Sequence, residues 1–318
     1  MTVRKTVAAA LSVATATGFA FAAPAQADFP ERPVEMIVPW SPGGGSDTLM
    51  RIVSNHVEPH LGQPMPVINM PGVSGTRGLD EARERPADGY TVAQVHEGLL
   101  TSYHTGLTTV QLEDFEPIAA LTQSPQFFVA NADMPYETME EFVEFARENP
   151  GEVNVGVTLA GVPHLHSAML EDAADLEFSY VGYEGTGERI RALVGGHIDV
   201  AIGDIASAKQ FVDNNDLRFL AVGTTERLDQ TPDVPTLQEL GYDFEMTINR
   251  GLFAPAGTPE DRLEVLENAL SELQHDESFV ESINNAGSEV VYRGREEYAE
   301  YLEDLDATVE RLADHLER

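Results

Sequence analysis

Three consecutive glycines, residues 43–45, stand in the stretch VPWSPGGGSDTLMR between an apolar run and a helical pattern. Each glycine costs extra backbone entropy on folding, so a run of three points to a place where backbone must approach something without a Cβ in the way. A helix starting just after them offers unpaired N–H groups and the positive end of its dipole, a combination that suits an anion. Ser46 is placed to cap that helix and Thr48 adds a hydroxyl. The stretch is not a Walker A loop, because no Lys-Ser/Thr follows, and it is not G-x-G-x-x-G. A tight strand-to-helix turn would use the same residues. The device recurs in MPGVSGTRG (residues 70–78), in VTLAGVPHLH (157–166) and in YEGTGERI (183–190). Four such loops after strands predict a cleft lined with backbone donors, as the carboxyl ends of open α/β sheets provide.

Other chemistry is poorly served. HVEPH places His56 and His60 four apart, but the acid is misplaced for H-E-x-x-H and Pro59 disturbs the turn. His164 and His166 diverge on a helix, so one is expected to face the cleft and the other to pack or be solvated. There is no cysteine, which removes disulfides, thiol chemistry and thiolate metal sites. No G-x-S-x-G elbow exists, and paired acids such as Glu140 and Glu141 fall on polar helix faces. No catalytic residue, metal or cofactor is expected. Arg250 is read as a structural ion-pair residue, with direct carboxylate binding as the alternative. Trp40, the single tryptophan, is either core or the lip of the cleft.

The elements that must position these loops follow a βαβ grammar. VEMIVPW precedes a helix over about 47–60, then PVINM, a second glycine-rich turn with its helix, and YTVAQVH. QFFVAN leads to a helix carrying Met139, Phe142, Val143 and Ala146 at i, i+3, i+4, i+7. EVNVGVT opens a second set with helices at 163–174, 188–194 and about 205–212. A later helix is expected with Thr258 as N-cap, Pro259 at N1 and Asp261 at N3. A final amphipathic helix carries Leu302, Leu305, Val309, Leu312 and Leu316. Two such sets without a linker predict two lobes joined by crossing strands, near 127–131 and 249–255, with a hinged cleft between them. The expected division is 28–128 with 252–318 as the first lobe and 129–251 as the second.

Residues 1–27 have the form of a cleaved secretory signal, with Arg4 and Lys5, an apolar stretch, and AQA at the end. Without Arg4 and Lys5, 17 basic residues face 54 acidic ones, a formal charge of −37 with Lys209 as the one lysine. That charge opposes nucleic-acid binding. Because the acids are scattered over helix faces, they suggest a surface that works in strong salt, where self-repulsion is screened.

Several motifs together resemble a known family. VPWSPGGGSDTLMR, NMPGVSGTRG, PADGYTV, YEGTGERIRALVGGHIDVAIGD, LRFLAVGTTERLDQTPDVPTLQELGYDF and NRGLFAPAGTPEDRL are similar, in order and spacing, to the substrate-binding proteins of tripartite tricarboxylate transporters, the Bug-type receptors. The likeness runs from about Phe29 to the final helix. It implies an α/β fold of the type II periplasmic binding protein class, two lobes closing on a small organic acid. The carboxylate would be held largely by loop N–H groups and water. Carried over by position, the first lobe would contribute Ser41, Gly44, Gly45, Ser46, Asp47, His96 and Glu97. The second would contribute Thr158, Gly161, His164, Gly185, Thr186 and Asp204. His96-Glu97 departs from the small polar residues usual there, and the loop at 157–161 departs from the usual glycine-serine form. The implied partners are the ligand and the membrane permease subunits of such a transporter. The receptor itself is expected to be a periplasmic monomer and not an enzyme. A sensor subunit of the same fold, signalling to a membrane kinase, is the alternative.

Overall fold

The structure is a computed structural model that describes residues 29–183 and 185–316; the expected signal segment, 1–27, lies outside the described residues. Met36, Ile37 and Val38 are fully buried side by side, so this strand is covered on both faces. It is β1 (Glu35–Val38), and it pairs in parallel with β2 (Val67–Asn69) and β3 (Thr91–Val95). Three antiparallel strands complete the first sheet: β4 (Phe115–Pro125), β10 (Thr247–Pro255) and β11 (Glu289–Arg293), in the order β11-β4-β10-β3-β1-β2. The second sheet contains β5 (Phe127–Asn131), β6 (Asn154–Val157), β7 (Ser179–Gly182), β8 (Val200–Gly203) and β9 (Leu217–Val222). Its order is β7-β6-β8-β5-β9, with β6, β7 and β8 parallel.

Helices connect these strands on both faces. In the first lobe they are α1 (Gly45–Leu61), α2 (Thr76–Arg83) and α3 (Gly98–His104). In the second they are α4 (Met139–Glu148), α5 (Val162–Ala174), α6 (Thr186–Val194) and α7 (Ile205–Asp213). The chain closes with α8 (Glu260–Ser271), α9 (Glu277–Asn285) and α10 (Arg295–Leu316). Each lobe has its own core. Met36, Val38, Met50, Val53, Leu252 and Leu266 anchor the first, and Phe128, Phe142, Val155, Leu170 and Ile202 the second.

The crossings lie slightly apart from their expected places. The chain changes sheet between Pro125, the end of β4, and Phe127, the start of β5, and returns just ahead of Thr247. Gln126 carries the first crossing because its N–H donates to the Met246 carbonyl (2.9 Å) and its own carbonyl accepts from Gly223 (2.9 Å). The expected divisions at 128/129 and 251/252 therefore cut through β5 and β10. Phe127 and Phe128 are already paired in the second sheet, and residues 247–251 already belong to the first.

Two other expectations also shift. Pro259, not Thr258, is the N-cap of α8, and the Thr258 hydroxyl donates instead to the Pro255 carbonyl (2.7 Å). The final helix does more than cover the first lobe. Val309, Leu312 and Leu316 of α10 form one cluster with Leu165 and Ala168 of α5 and with Leu100 of α3. Arg311 pairs with Asp172 at the same seam. The C-terminal helix thus ties the lobes together, packing on β4 and on α5.

Candidate functional site

Among the described residues, each of the six parallel strands is followed by a helix, and the glycine loop after β1 is the best defined. Gly43 takes φ +81°, a left-handed value that strains any side-chain-bearing residue. Its N–H donates to Asp47 Oδ2 (2.8 Å). Asp47 is buried and also accepts from Asn69 (2.9 Å) while pairing with Arg51 (2.9 Å). Burial alone would raise its pKa, but the bonds from Arg51, Gly43 and Asn69 outweigh it and hold the carboxyl below its ordinary value. Asp47 is therefore the post that shapes the loop, and its oxygens face inward. Gly44 is the N-cap of α1, with φ −79° and no side-chain cap. Thr48 donates to the Gly44 carbonyl (2.9 Å) as the first helical bond, which leaves the N–H groups of Gly45, Ser46 and Asp47 without a protein acceptor among the described residues. Residues 41–45 are exposed. The left-handed glycine is Gly43; Gly44 and Gly45 serve by lacking a side chain.

Ser46 does not cap the helix. Its hydroxyl accepts from Arg250 Nε (3.0 Å), and Arg250 NH1 reaches the Ser124 hydroxyl (2.6 Å). Arg250 NH2 is directed at the loop, since a Cβ built on Gly45 would lie 3.6 Å from it. Arg250 is buried, yet no carboxylate lies within 4 Å of it among the described residues. Burial lowers its pKa to about 10, opposed by the charges of Glu97 and Asp204, so it stays cationic at neutral pH. The expected structural ion pair is not made.

His96 stacks on Trp40, with ring centroids 4.9 Å apart at 12°. Its Nδ1 accepts from the Gly98 N–H (2.8 Å), so the neutral ring carries its proton on Nε2. Burial, then the Arg250 charge, lowers its pKa to about 3, and it is uncharged at pH 7. Trp40 is half-buried, packs on the first-lobe core and lies against Gly75 of the second loop. Glu97 faces the other way. It accepts from the Asn249 N–H (2.8 Å), the Asn249 amide (3.0 Å) and the Tyr301 hydroxyl (3.0 Å), and it is buried. Burial raises its pKa in spite of these bonds. Its contacts join the start of α3 to β10 and α10, inside the first lobe.

In the second lobe Gly161 and Gly185 are the N-caps of α5 and α6, neither with a side-chain cap bond. Thr158 and Thr186 are linked by Arg189, whose NH1 and NH2 donate to their hydroxyls (3.3 Å each) while Nε donates to the Ile202 carbonyl (2.7 Å). Arg189 is 1% exposed and, like Arg250, has no carboxylate partner within 4 Å among the described residues. Asp204 caps α7, accepting from the Ser207 N–H (2.8 Å), and its charge acts on both arginines. His164 is fully buried, with its ring edge on Tyr180 (4.2 Å between centroids) and Nδ1 accepting from Ala160 (3.2 Å). His166 is the histidine turned toward the crossing strand, where the Thr247 carbonyl and the Arg189 charge both act on it.

The structure thus brings Ser41, Gly44, Gly45, Ser46 and His96 together around one helix end, and Thr158, Gly161, Gly185, Thr186 and Asp204 around the loops of the other lobe. It turns Asp47, Glu97 and His164 into structural contacts. Arg189 went unnoticed in sequence because it lies inside a helical pattern where arginines normally face water. Its spacing three residues after Thr186 was the available signal. The described residues contain no group of three or more metal-ligating side chains. What they offer is hydrogen-bond donors and two cations, an arrangement for holding an anion.

The chain is similar to known proteins along most of its length. Residues 49–317 match the family described as tripartite tricarboxylate transporter family receptor. A UPF0065 protein of Agrobacterium vitis is 32% identical over 303 residues, covering 94% of this chain and 88% of the relative. A TctC solute-binding protein from Polaromonas, solved with no ligand, is 31% identical with a TM-score of 0.80, covering 90% of this chain and 99% of that one. MatC from Rhodopseudomonas palustris, solved with bound malate, is 26% identical with a TM-score of 0.74, covering 90% of this chain and 100% of that one.

Proposed function

The chain belongs to the tripartite tricarboxylate transporter receptor family, and from that premise we propose that it is an exported monomeric receptor that captures a small organic carboxylate between its lobes and delivers it to membrane permease subunits. The observation that carries this reading is the end of α1. Three free N–H groups, an exposed glycine loop with no side chain to shield it, and the Arg250 guanidinium converge there. A carboxylate oxygen at that point gains charge-assisted bonds, which are roughly twice as strong as neutral ones. Attraction of this kind is local, so a strongly acidic surface does not prevent it in salt. The malate bound by MatC is a ligand of the same chemical class. Closing of the lobes on the ligand is the accompanying motion, a hinge at Gln126 and Met246.

Trp40 gives the test. It is the only tryptophan, and its stacking on His96 puts it beside the helix end. Titration with malate, succinate and butyrate is expected to produce a saturable change in tryptophan emission for at least one acid, and none for the matching amide. Emission that ignores every acid, or answers the amide equally, contradicts the reading.

A further inference from the structure

Arg250 belongs to β10, and its buried guanidinium is steered by neutral groups. Nε donates to the Ser46 hydroxyl (3.0 Å), and NH1 donates to the Ser124 hydroxyl (2.6 Å) and to the Ile248 carbonyl (3.3 Å). The charges of Glu97 and Asp204 act on it, and neither carboxylate is within ion-pair distance among the described residues. With Nε and NH1 held, the plane of the fork is set, and NH2 is the nitrogen left beside Gly45. Arginine only donates, so Ser124 accepts from it. A serine side chain has three staggered wells, and a second partner decides which of them keeps the oxygen at NH1. That partner is Ser288, whose hydroxyl bonds to that of Ser124 (2.5 Å).

Two local rules bring Ser288 there. Helix α9 is followed by Ala286 and Gly287, and Gly287 takes φ +76°. Its N–H donates to the Asn284 carbonyl (3.0 Å) and the Ser288 N–H to the Ile283 carbonyl (3.2 Å), the bond pattern of a glycine-closed helix end. Strand β11 starts at the next residue with Glu289 opposite Gln123, so the antiparallel register sets Ser288 opposite Ser124. The turn is also pinned from the second lobe, since a Cβ on Gly287 would lie 3.3 Å from the Ala206 Cβ of α7. Both serines are buried.

We propose that Ser124 and Ser288 are positioning residues of the anion site, fixing the Arg250 guanidinium so that NH2 is aimed at the glycine loop. Neither serine needs to touch the ligand. This rests on the carboxylate-receptor reading and adds to it the groups that aim its cation. The chain Ser288–Ser124–Arg250–Ser46 runs from the turn after α9, through β4 and β10, to α1. Hydrogen bonds in such a chain polarise one another, so the link at Ser288 strengthens the one at Arg250. A ligand then meets a cation that is already oriented, and less affinity is lost in ordering it.

The test is calorimetric titration with malate, succinate and butyrate, beside melting curves, of the wild type, Ser288→Ala, Ser124→Ala, Ser288→Thr, Arg250→Lys, and Ser288→Ala combined with Arg250→Lys. The acid that binds the wild type most tightly is expected to weaken about tenfold in Ser288→Ala and in Ser124→Ala, the scale of one hydrogen bond to a charged group. Ser288→Thr keeps the hydroxyl and is expected to stay within about threefold of the wild type. Lysine lacks the forked nitrogen that Ser124 holds, so in the Arg250→Lys background Ser288→Ala is expected to change affinity by less than about twofold. A packing role alone would give the same loss in both backgrounds. That equal loss overturns the proposal, and so does wild-type affinity in a folded Ser288→Ala or Ser124→Ala protein. Arg250→Lys with wild-type affinity takes Arg250 out of the site, and the positioning role with it. A wild type that binds none of the three acids removes the carboxylate reading itself. The two alanine variants cut the same link from opposite ends, so poor folding of one leaves the other to decide.

Discussion

Gly45→Val is expected to lower carboxylate affinity about 100-fold or more while leaving the protein folded. Gly45 is the first residue of α1 and is exposed, and its φ is not left-handed. A Cβ there meets only Arg250 NH2, at 3.6 Å, an ordinary contact. The cost to the fold is then the small penalty of a β-branched residue in a first helical turn. The two methyl groups beyond that Cβ, however, occupy the approach to the free N–H groups and cover the guanidinium. Losing two charge-assisted bonds at about 1.5–3 kcal/mol each sets the size of the effect. Gly45→Ala should cost much less. Gly43→Val should fail differently, because its φ of +81° strains the loop itself and lowers the melting temperature. Titration of the two valine variants beside their melting curves separates blocked binding from a broken loop. Wild-type affinity in a folded Gly45→Val protein would remove the helix end from the site.

Acid should unfold this protein well above the range in which carboxylates protonate. His164 is 0% exposed and His166 3%. Burial, with His315 adding to it, lowers the His164 pKa to about 4. Burial lowers that of His166 to about 3, assisted by Arg189 and opposed by the Thr247 carbonyl. The unfolded values are near 6.5. Above about 6.5 neither state binds the proton and stability is full. As pH falls toward 4 the unfolded chain takes up protons that the folded one refuses, so stability is lost at about 1.4 kcal/mol per unit for each histidine. Asp47, whose pKa is lowered, adds a loss in the same direction at lower pH. Glu97 works the other way, since its raised pKa means a stabilisation that is present in acid and lost as pH rises. The net fall is about 1–3 kcal/mol per unit between pH 6 and 4. The measurement belongs in about 1 M salt, where protonation of surface acids no longer relieves self-repulsion and masks the effect. Melting temperatures are expected to drop steeply from pH 6.5 to 4.5, and less steeply in a His164→Gln, His166→Gln protein. A wild-type melting temperature equal or higher at pH 4.5 contradicts the neutral buried histidines.

The alternation of strands and helices, the glycine loops at strand ends, and the resemblance carried by six motifs were legible before the structure. They are local patterns, and a helix end after glycines looks the same in sequence and in space. Less legible were features set by partners far along the chain. Asp47 reads as a cleft residue because it follows the glycines, and its turn inward depends on Asn69, 22 positions away. Glu97 reads as a cleft acid, and its burial depends on Asn249 and Tyr301. The choice between His164 and His166 depends on which helix face meets Thr247, a strand 81 residues further on. In sequence Arg250 reads as an ion-pair residue, since an arginine near a strand crossing usually finds an acid. Its side-chain partners are two serines that lie 204 and 126 positions earlier, and those contacts leave no trace in local spacing.

The most direct measurement is native mass spectrometry of the protein as its own cells make it, purified without unfolding. The account predicts a 1:1 adduct whose mass, after release by denaturation, is that of a small carboxylic acid. It also predicts that Gly45→Val, prepared in the same way, carries none. A wild-type protein that retains only neutral or cationic molecules, or the same acid bound equally by the wild type and Gly45→Val, would contradict it.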